Sequence, residues 1–255
     1  MFVDSHTHLL RLEVSPEEAV QAASAEGVEA VVNIGTTIED SRKGSELAAT
    51  LPNVYTAVGI HPHNAGDYTP GDLESLAEIS ESPGVVALGE VGIDYYRNEH
   101  PEDVQKALFA DAIYLANDLR LPLVIHARAA FEDAMECLKN ADVPVVLHCF
   151  EGGDEEIRAV TERGYYIGLT GNVTYKNSPT APHLDLIDPE RLMVETDAPY
   201  LSPQPVRKER NQPRNVVYTA RFVAESLGMS PEELGELTTH NAARFYDLPL
   251  QVRPG

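Results

Sequence analysis

Two histidines, His6 and His8, stand two residues apart at the end of the apolar segment that opens the chain. Side chains alternate between the two faces of a strand, so histidines at this spacing project to one side, about 7 Å apart along the backbone. Imidazoles at this spacing can bind one metal ion, but a pair of hydrogen-bonded core histidines fits the spacing equally well. The rest of the chain must decide between the two interpretations.

Further histidines and carboxylates recur at the ends of other apolar segments. In a barrel of parallel strands the chemistry lies at the C-terminal ends of the strands, where such side chains converge. The candidate ligands are His6, His8, Glu90, His126, His148 and Asp197, with His61 and His63 at the end of one more segment. Four imidazoles and two carboxylates are more ligands than one tetrahedral metal site can hold, and this number suits two divalent ions. We expect Glu90 to bridge the ions, with His6, His8 and Asp197 on one and His126 and His148 on the other.

The segments that must position these residues alternate between strand and helix patterns. Strands are predicted over 2–8, 30–35, 54–61, 85–90, 123–126, 143–149, 165–169 and 192–197. Helix starts are predicted at Ser15 and Ser230, each followed by proline and two glutamates, and apolar spacing predicts a helix over 102–119. The alternation predicts an α/β fold, a (β/α)₈ TIM barrel, as one domain over residues 1–255. An open doubly wound sheet is the alternative, and the sequence lacks the glycine-rich nucleotide motifs typical of it.

Charge and composition restrict the setting in which this chain works. Its 41 acidic and 19 basic residues give a net charge of −22 at pH 7, which opposes loose binding to nucleic acid or to an anionic membrane. A source that lives at high salt is one hypothesis for this charge. The sequence has no apolar run of about 18 residues and no signal-peptide pattern. The two cysteines provide no disulfide framework. We therefore expect a cytoplasmic protein that binds neither a membrane nor an obligate protein partner.

Short motifs along almost the whole chain resemble, in order, those of TatD-type metal-dependent DNases. They are Asp4-Ser5-His6-Thr7-His8, Gly59-Ile60-His61-Pro62-His63, Gly89-Glu90-Val91-Gly92-Ile93-Asp94-Tyr95-Tyr96, Ile125-His126-Ala127-Arg128, His148-Cys149-Phe150-Glu151-Gly152, Glu195-Thr196-Asp197-Ala198-Pro199-Tyr200-Leu201, residues 207–213 and Thr239-His240-Asn241-Ala242. The resemblance implies a TIM-barrel hydrolase of the amidohydrolase type that uses two divalent metals to cleave DNA, often from the 3′ end. It places the six candidate ligands on the family's metal ligands and His63 on a position that faces the substrate phosphate. His61 is expected to shape the loop.

Two positions depart from the pattern of that family. Ala129 stands where the family usually has an acidic residue, and Arg207-Lys208-Glu209 stands where the family usually has Arg-Gly-Lys. The first change is expected to alter a hydrogen bond behind the ligands. The second puts polarity and substrate choice in doubt.

The expected function is a metal-dependent hydrolase, a 3′–5′ exonuclease on DNA ends or single strands that works through a two-metal activated hydroxide. Asp197 is expected to act as the base and Glu90 as the bridging ligand. His63 and Arg128 are expected to hold the phosphate, and Arg207 and Arg210 to guide the strand. The ligands suit Zn²⁺ or Mn²⁺ better than Mg²⁺, although the sequence does not identify the metal.

Several alternatives remain open at this stage. A metal pair also polarises carbonyl groups, so the enzyme could instead hydrolyse an ester or amide, such as an aminoacyl-tRNA or a small cyclic amide. Related binuclear amidases often bridge their metals with a modified lysine late in the fourth strand. This sequence has Glu90 at that place and no lysine in the predicted strand, which favours the nuclease. A third reading is a metal-binding interaction protein without activity. Tyr95 and Tyr96, beyond Glu90, either stack on nucleobases or pack their own loop.

Overall fold

The computed structural model describes residues 1–250, and within them the strands form one eight-stranded sheet in chain order. The strands are β1 (Phe2–Thr7), β2 (Val28–Ile34), β3 (Val54–Val58), β4 (Val85–Asp94), β5 (Leu123–Arg128), β6 (Val145–Leu147), β7 (Tyr166–Leu169) and β8 (Leu192–Val194). The ladders β3–β4, β4–β5, β5–β6 and β7–β8 are parallel. Thr7 forms a parallel bridge with Ala198, so β1 runs beside the chain that leaves β8. This is the predicted TIM-barrel fold.

Helices follow most of the strands. They are α1 (Pro16–Ala25), α2 (Ile38–Thr50), α3 (Pro70–Ser80), α4 (Glu102–Leu119), α5 (Phe131–Cys137), α6 (Asp154–Glu162), α7 (Val216–Leu227) and α8 (Pro231–Tyr246). The two predicted starts are confirmed, because the side chains of Ser15 and Ser230 each accept a hydrogen bond from a glutamate N–H in a full capping box. Helix α4 covers its predicted range. The described connection from β7 to β8 contains only 3₁₀ turns, where the strand–helix alternation predicted a helix.

Several strand ends differ from the prediction. His8, His61, His148 and Asp197 lie one to three residues beyond β1, β3, β6 and β8. Cys149 and Asp197 have φ angles of 48° and 54°, and because such backbone leaves the extended conformation, the ladder stops before these residues. Strand β4 instead continues to Asp94, four residues past its predicted end at Glu90.

The chain packs as two compact units. Among the described residues, the first comprises Met1–Val32 and 149–250, and the second comprises Asn33–His148. Each unit has fully buried apolar side chains, among them Ile157 and Leu169 in the first and Leu88 and Phe109 in the second. The expectation of a single domain over residues 1–255 stays a prediction. Within residues 1–250 no helix is both long and apolar enough to cross a membrane.

Candidate metal centres

Three predicted ligands come together in the first unit, and we call His6, His8 and Asp197 the Asp197 cluster. Asp197 Oδ1 lies 3.2 Å from His8 Nε2 and 3.6 Å from His6 Nε2. The His6 side chain is fully buried, whereas 13% of the Asp197 side chain is exposed. Two imidazole nitrogens beside a carboxylate oxygen form a donor set that suits a borderline divalent cation.

The backbone at Asp197 is held by side chains distant in sequence. Asp4 accepts hydrogen bonds from Thr196 N at 2.8 Å and Thr196 Oγ1 at 2.6 Å. Asn211 Nδ2 donates to the Thr196 carbonyl at 2.8 Å, and Asp197 N donates to the His6 carbonyl at 2.9 Å. Because these four contacts fix the turn, the Asp197 carboxylate stays beside the histidines of β1.

The second unit contains the other candidate centre, formed by Glu90, His61, His126 and His148, which we call the Glu90 cluster. Glu90 Oε1 lies 2.7 Å from His126 Nδ1, 2.8 Å from His148 Nε2 and 3.6 Å from His61 Nε2. Ligand atoms of His61, Glu90 and His126 all lie within 4.8 Å of one another. In the loop after β3, His61 Nδ1 accepts a hydrogen bond from His63 N at 3.1 Å. Its ring also joins the cluster, which the sequence did not predict.

The imidazoles keep the Glu90 carboxyl ionised. Burial alone raises the pKa of Glu90, but the charges of His148 and His61 and hydrogen bonds from His126 and His148 outweigh burial, and the pKa lies well below its usual range. Burial lowers the pKa of His126, but hydrogen bonds to Asp94 and Glu90 outweigh it and the pKa is raised. A cation that enters this cluster therefore finds an anionic ligand and competes with a proton for His126.

Asp94 is the residue of this centre to which the sequence interpretation assigned no role. Its Oδ2 lies 2.8 Å from His63 Nε2 and 3.0 Å from His126 Nε2, and its Oδ1 accepts a hydrogen bond from Arg97 N at 2.9 Å. Burial raises the pKa of Asp94, but the hydrogen bonds from His126, Arg97 and His63 outweigh it and hold the pKa well below its usual range. His126 thus lies between two carboxylates, Glu90 at Nδ1 and Asp94 at Nε2. Such a carboxylate partner fixes the tautomer and ring orientation of a metal-binding histidine.

The sequence of β4 contained a signal that could have identified Asp94, namely its spacing from Glu90 along the strand. Glu90, Gly92 and Asp94 are two residues apart in turn, a spacing that places them on one face of an extended strand. Gly92 pairs with His126 of β5, and a Cβ atom at Gly92 would lie 2.0 Å from the His126 carbonyl oxygen. The glycine therefore lets the strands approach so closely that His126 lies between the two carboxylates.

Two residues predicted to bind substrate lie in the second unit. His63 is 25% exposed and is bound by Asp94. The guanidinium of Arg128 lies 4.0 Å from the centre of the Tyr96 ring. Arg128 therefore has an aromatic partner that the sequence did not predict. The neighbouring Ala129, which was expected to alter a hydrogen bond behind the candidate ligands, is exposed and has a φ of 52°.

The other two residues predicted to bind substrate lie in the first unit, in the loop after β8. The Arg207 guanidinium lies 4.5 Å from the centre of the Tyr175 ring. Arg210 Nη1 forms an ion pair with Glu13 Oε1 at 2.9 Å, and both of these side chains are more than half exposed. Each arginine thus has a protein partner, and the contacts place the two side chains against different parts of the first unit.

A family model described as TatD related DNase matches residues 3–247. The chain belongs to the TatD family. This TatD protein is 37% identical over 252 residues to YabD of Bacillus subtilis, an uncharacterized metal-dependent hydrolase, and the match covers 96% of this chain and 99% of YabD. It is 30% identical over 241 residues to the 3′–5′ ssDNA/RNA exonuclease TatD of Salmonella typhimurium, with 91% and 93% covered.

A comparison with solved structures also matches this chain to a TatD homolog. The crystal structure of YjjV, a TatD homolog from Escherichia coli K12, matches with a TM-score of 0.90 at 25% identity, covering 97% of this chain and 98% of YjjV. The predicted family and the predicted barrel are both confirmed. This TatD protein is a metal-dependent hydrolase.

Proposed function

We propose that this TatD hydrolase cleaves phosphodiester bonds in DNA, removing nucleotides from the 3′ end of single strands or of frayed ends. The Glu90 cluster carries the proposal, because an ionised carboxylate among three imidazoles suits the divalent ions that phosphodiester hydrolysis uses. The similarity to the exonuclease of Salmonella typhimurium supports the choice of substrate. The net charge of −22 also favours short single-stranded contacts over a long duplex.

The proposed cofactors are two divalent ions, one for each cluster. Both donor sets combine imidazole nitrogens with one carboxylate, which suits Zn²⁺ or Mn²⁺ better than Mg²⁺. Bound there, such ions lower the pKa of water and stabilise charge on phosphoryl oxygens. The bridging role of Glu90 stays a prediction.

Other side chains are proposed to accept the proton and to bind the phosphate. Asp197 is the group that we assign to accept the proton of the attacking water. Asp94 holds Nε2 of His63, so the predicted phosphate contact of His63 falls to Nδ1. The planar guanidinium of Arg128 presents N–H groups at its edge for a second phosphate oxygen.

Arg207 and Arg210 are proposed to guide the strand. Both side chains are exposed. The ion pair of Arg210 with Glu13 is exposed on both sides, and such pairs contribute about 1 kcal/mol or less. A phosphate group can therefore replace Glu13 at little cost.

The test uses one single-stranded DNA sequence labelled in separate preparations at its 5′ or 3′ end, with Zn²⁺, Mn²⁺, Mg²⁺ or EDTA. The 5′-labelled strand should shorten step by step, and the 3′ label should appear at once in a mononucleotide. Both products should disappear with EDTA and in Glu90→Gln. Glu78→Gln, an exposed glutamate of α3 in the same unit, is the matched control and should cleave normally.

A panel of esters and amides completes the experiment. Intact DNA together with metal-dependent hydrolysis of an ester or amide would replace the nuclease proposal with a carbonyl hydrolase. Release of the 5′ label first would reverse the proposed polarity.

A further inference from the structure

Tyr96 is a large aromatic side chain that stands largely in solvent just after β4, the strand that carries Glu90. It is 69% exposed and follows β4 by two residues. It is thus two residues from Asp94, whose carboxylate binds His126. Two consecutive residues span at most about 7 Å of chain, so the Cα atom of Tyr96 lies within that distance of the Cα atom of Asp94.

The turn that carries Tyr96 is fixed by hydrogen bonds on both sides of it. Arg97 N donates to Asp94 Oδ1 at 2.9 Å, and Asn98 N donates to the Asp94 carbonyl at 3.3 Å. On the other side, Tyr95 N donates to the Arg128 carbonyl at 3.0 Å. The exposure of Tyr96 therefore belongs to an ordered turn tied to β4 and β5.

The two neighbouring tyrosines have different surroundings. The Tyr95 hydroxyl donates to Asp133 Oδ2 at 2.6 Å, and Lys106 pairs with the same oxygen at 2.6 Å. This anchors Tyr95 against α4 and α5, which is the loop-packing alternative. Tyr96 has the guanidinium of Arg128 over its ring at 4.0 Å, and its high exposure leaves much of the ring accessible to a ligand.

We propose that Tyr96 and Arg128 form a stacking platform for one nucleobase of a single-stranded substrate. The inference rests on the proposed function and adds the part of the substrate that this surface recognises. Nucleobases stack on aromatic rings and arginine planes without sequence preference, and arginine can bind a phosphate through its edge while its face is stacked. A base within a duplex is already stacked on its neighbours, so this platform selects unpaired bases.

The wild-type chain contains no tryptophan, so Tyr96→Trp introduces a single fluorescent reporter at the platform. The probe is a phosphorothioate oligothymidylate, which resists cleavage, beside an abasic strand of the same length and linkage, both added to the Zn²⁺-loaded protein. Oligothymidylate should quench the fluorescence and the abasic strand should not. Tyr114→Trp, at a residue of α4 that is 73% exposed, is the matched control and should respond to neither strand.

Affinities measured by competition complete the test. Loss of one base stack by Tyr96→Ala should weaken oligothymidylate binding by about 5- to 150-fold and reduce the preference for it over the abasic strand, whereas Tyr96→Phe should keep that preference. Equal quenching by both strands, no quenching, or an unchanged preference in Tyr96→Ala would overturn the platform. These readings require no turnover, so a protein that stacks bases but leaves DNA intact would fail the proposed cleavage while supporting the platform.

Discussion

Asp94 holds two histidines with a single carboxylate oxygen, and this makes it the residue on which the order of the Glu90 cluster depends. His63 and His126 both meet Oδ2, while Oδ1 is occupied by Arg97 N. An imidazole oriented in this way has lost its rotational freedom before a ligand arrives, which favours metal binding.

Asp94→Asn should therefore weaken one of the two proposed metal sites. The amide keeps an oxygen for Arg97 N but removes the charge that orients His126, and such changes typically cost about 10- to 100-fold in metal affinity. Competition with a chromophoric chelator should show one Zn²⁺ bound more weakly and the other unchanged. Asp111→Asn, which alters the carboxylate that accepts from Tyr68, should bind both ions normally. Equal affinities in wild type and Asp94→Asn would contradict this role.

The chemical types of single residues predicted part of the centre. Histidines and carboxylates at strand ends identified candidate ligands that the structure brings together within each unit. His61 and Asp94 received no such role, because their contribution depends on ring orientation and on where β4 ends. The partner of Arg128 could not be predicted from sequence either, since Tyr95 and Tyr96 are adjacent residues of the same type and the structure is needed to show that Tyr95 binds Asp133 instead.

At the scale of elements, the pairing of β4 with β5 decides the geometry of the Glu90 cluster. Gly92 has a φ of 142° and lies against the His126 backbone. Backbone in this region is open almost only to glycine. The close approach of the two strands therefore depends on one missing side chain.

Gly92→Ala should destabilise the protein by about 3 kcal/mol or more, because strained backbone and a steric clash with the His126 carbonyl add together. Gly164→Ala is the control, since Gly164 has a φ of 67° but open space where a Cβ would lie, and the strain alone costs about 1 to 2 kcal/mol. Urea unfolding of the metal-free proteins measures both changes. If both substitutions lowered the free energy of unfolding equally, the clash between β4 and β5 would add nothing to the backbone strain.

Local signals predicted the elements better than their ends. The caps at Ser15 and Ser230 involve residues within one helical turn, so the sequence contains the whole interaction. The continuation of β4 to Asp94 depends on pairing with β5, which lies about 30 residues further along the chain. The alternation of strands and helices also predicted a helix between β7 and β8, where the structure has 3₁₀ turns. The alternation pattern does not specify the conformation of a single connection.

At the scale of the whole molecule, the net charge of −22 is the dominant feature. Like charges at this density repel one another and oppose the compact state. Screening by salt reduces this repulsion, because the Debye length falls from about 10 Å at 0.1 M salt to about 3 Å at 1 M.

The unfolding temperature should therefore rise with KCl, mainly between about 0.1 M and 1 M, where the Debye length falls below common charge separations. Circular dichroism during heating measures the change, and NaCl should act like KCl because screening does not depend on the cation. An unfolding temperature that stays constant or falls would contradict both this prediction and the hypothesis of a high-salt source.

The hydrogen bond from Asp197 N to the His6 carbonyl joins parts of the polypeptide that the ribosome makes at very different times. The members of the Glu90 cluster all lie within residues 61–148 and are therefore made before Asp197. The Asp197 cluster receives its two histidines before any of these residues and its carboxylate only after all of them. During translation, His6 and His8 are thus made before the Glu90 cluster, although their own cluster is completed after it.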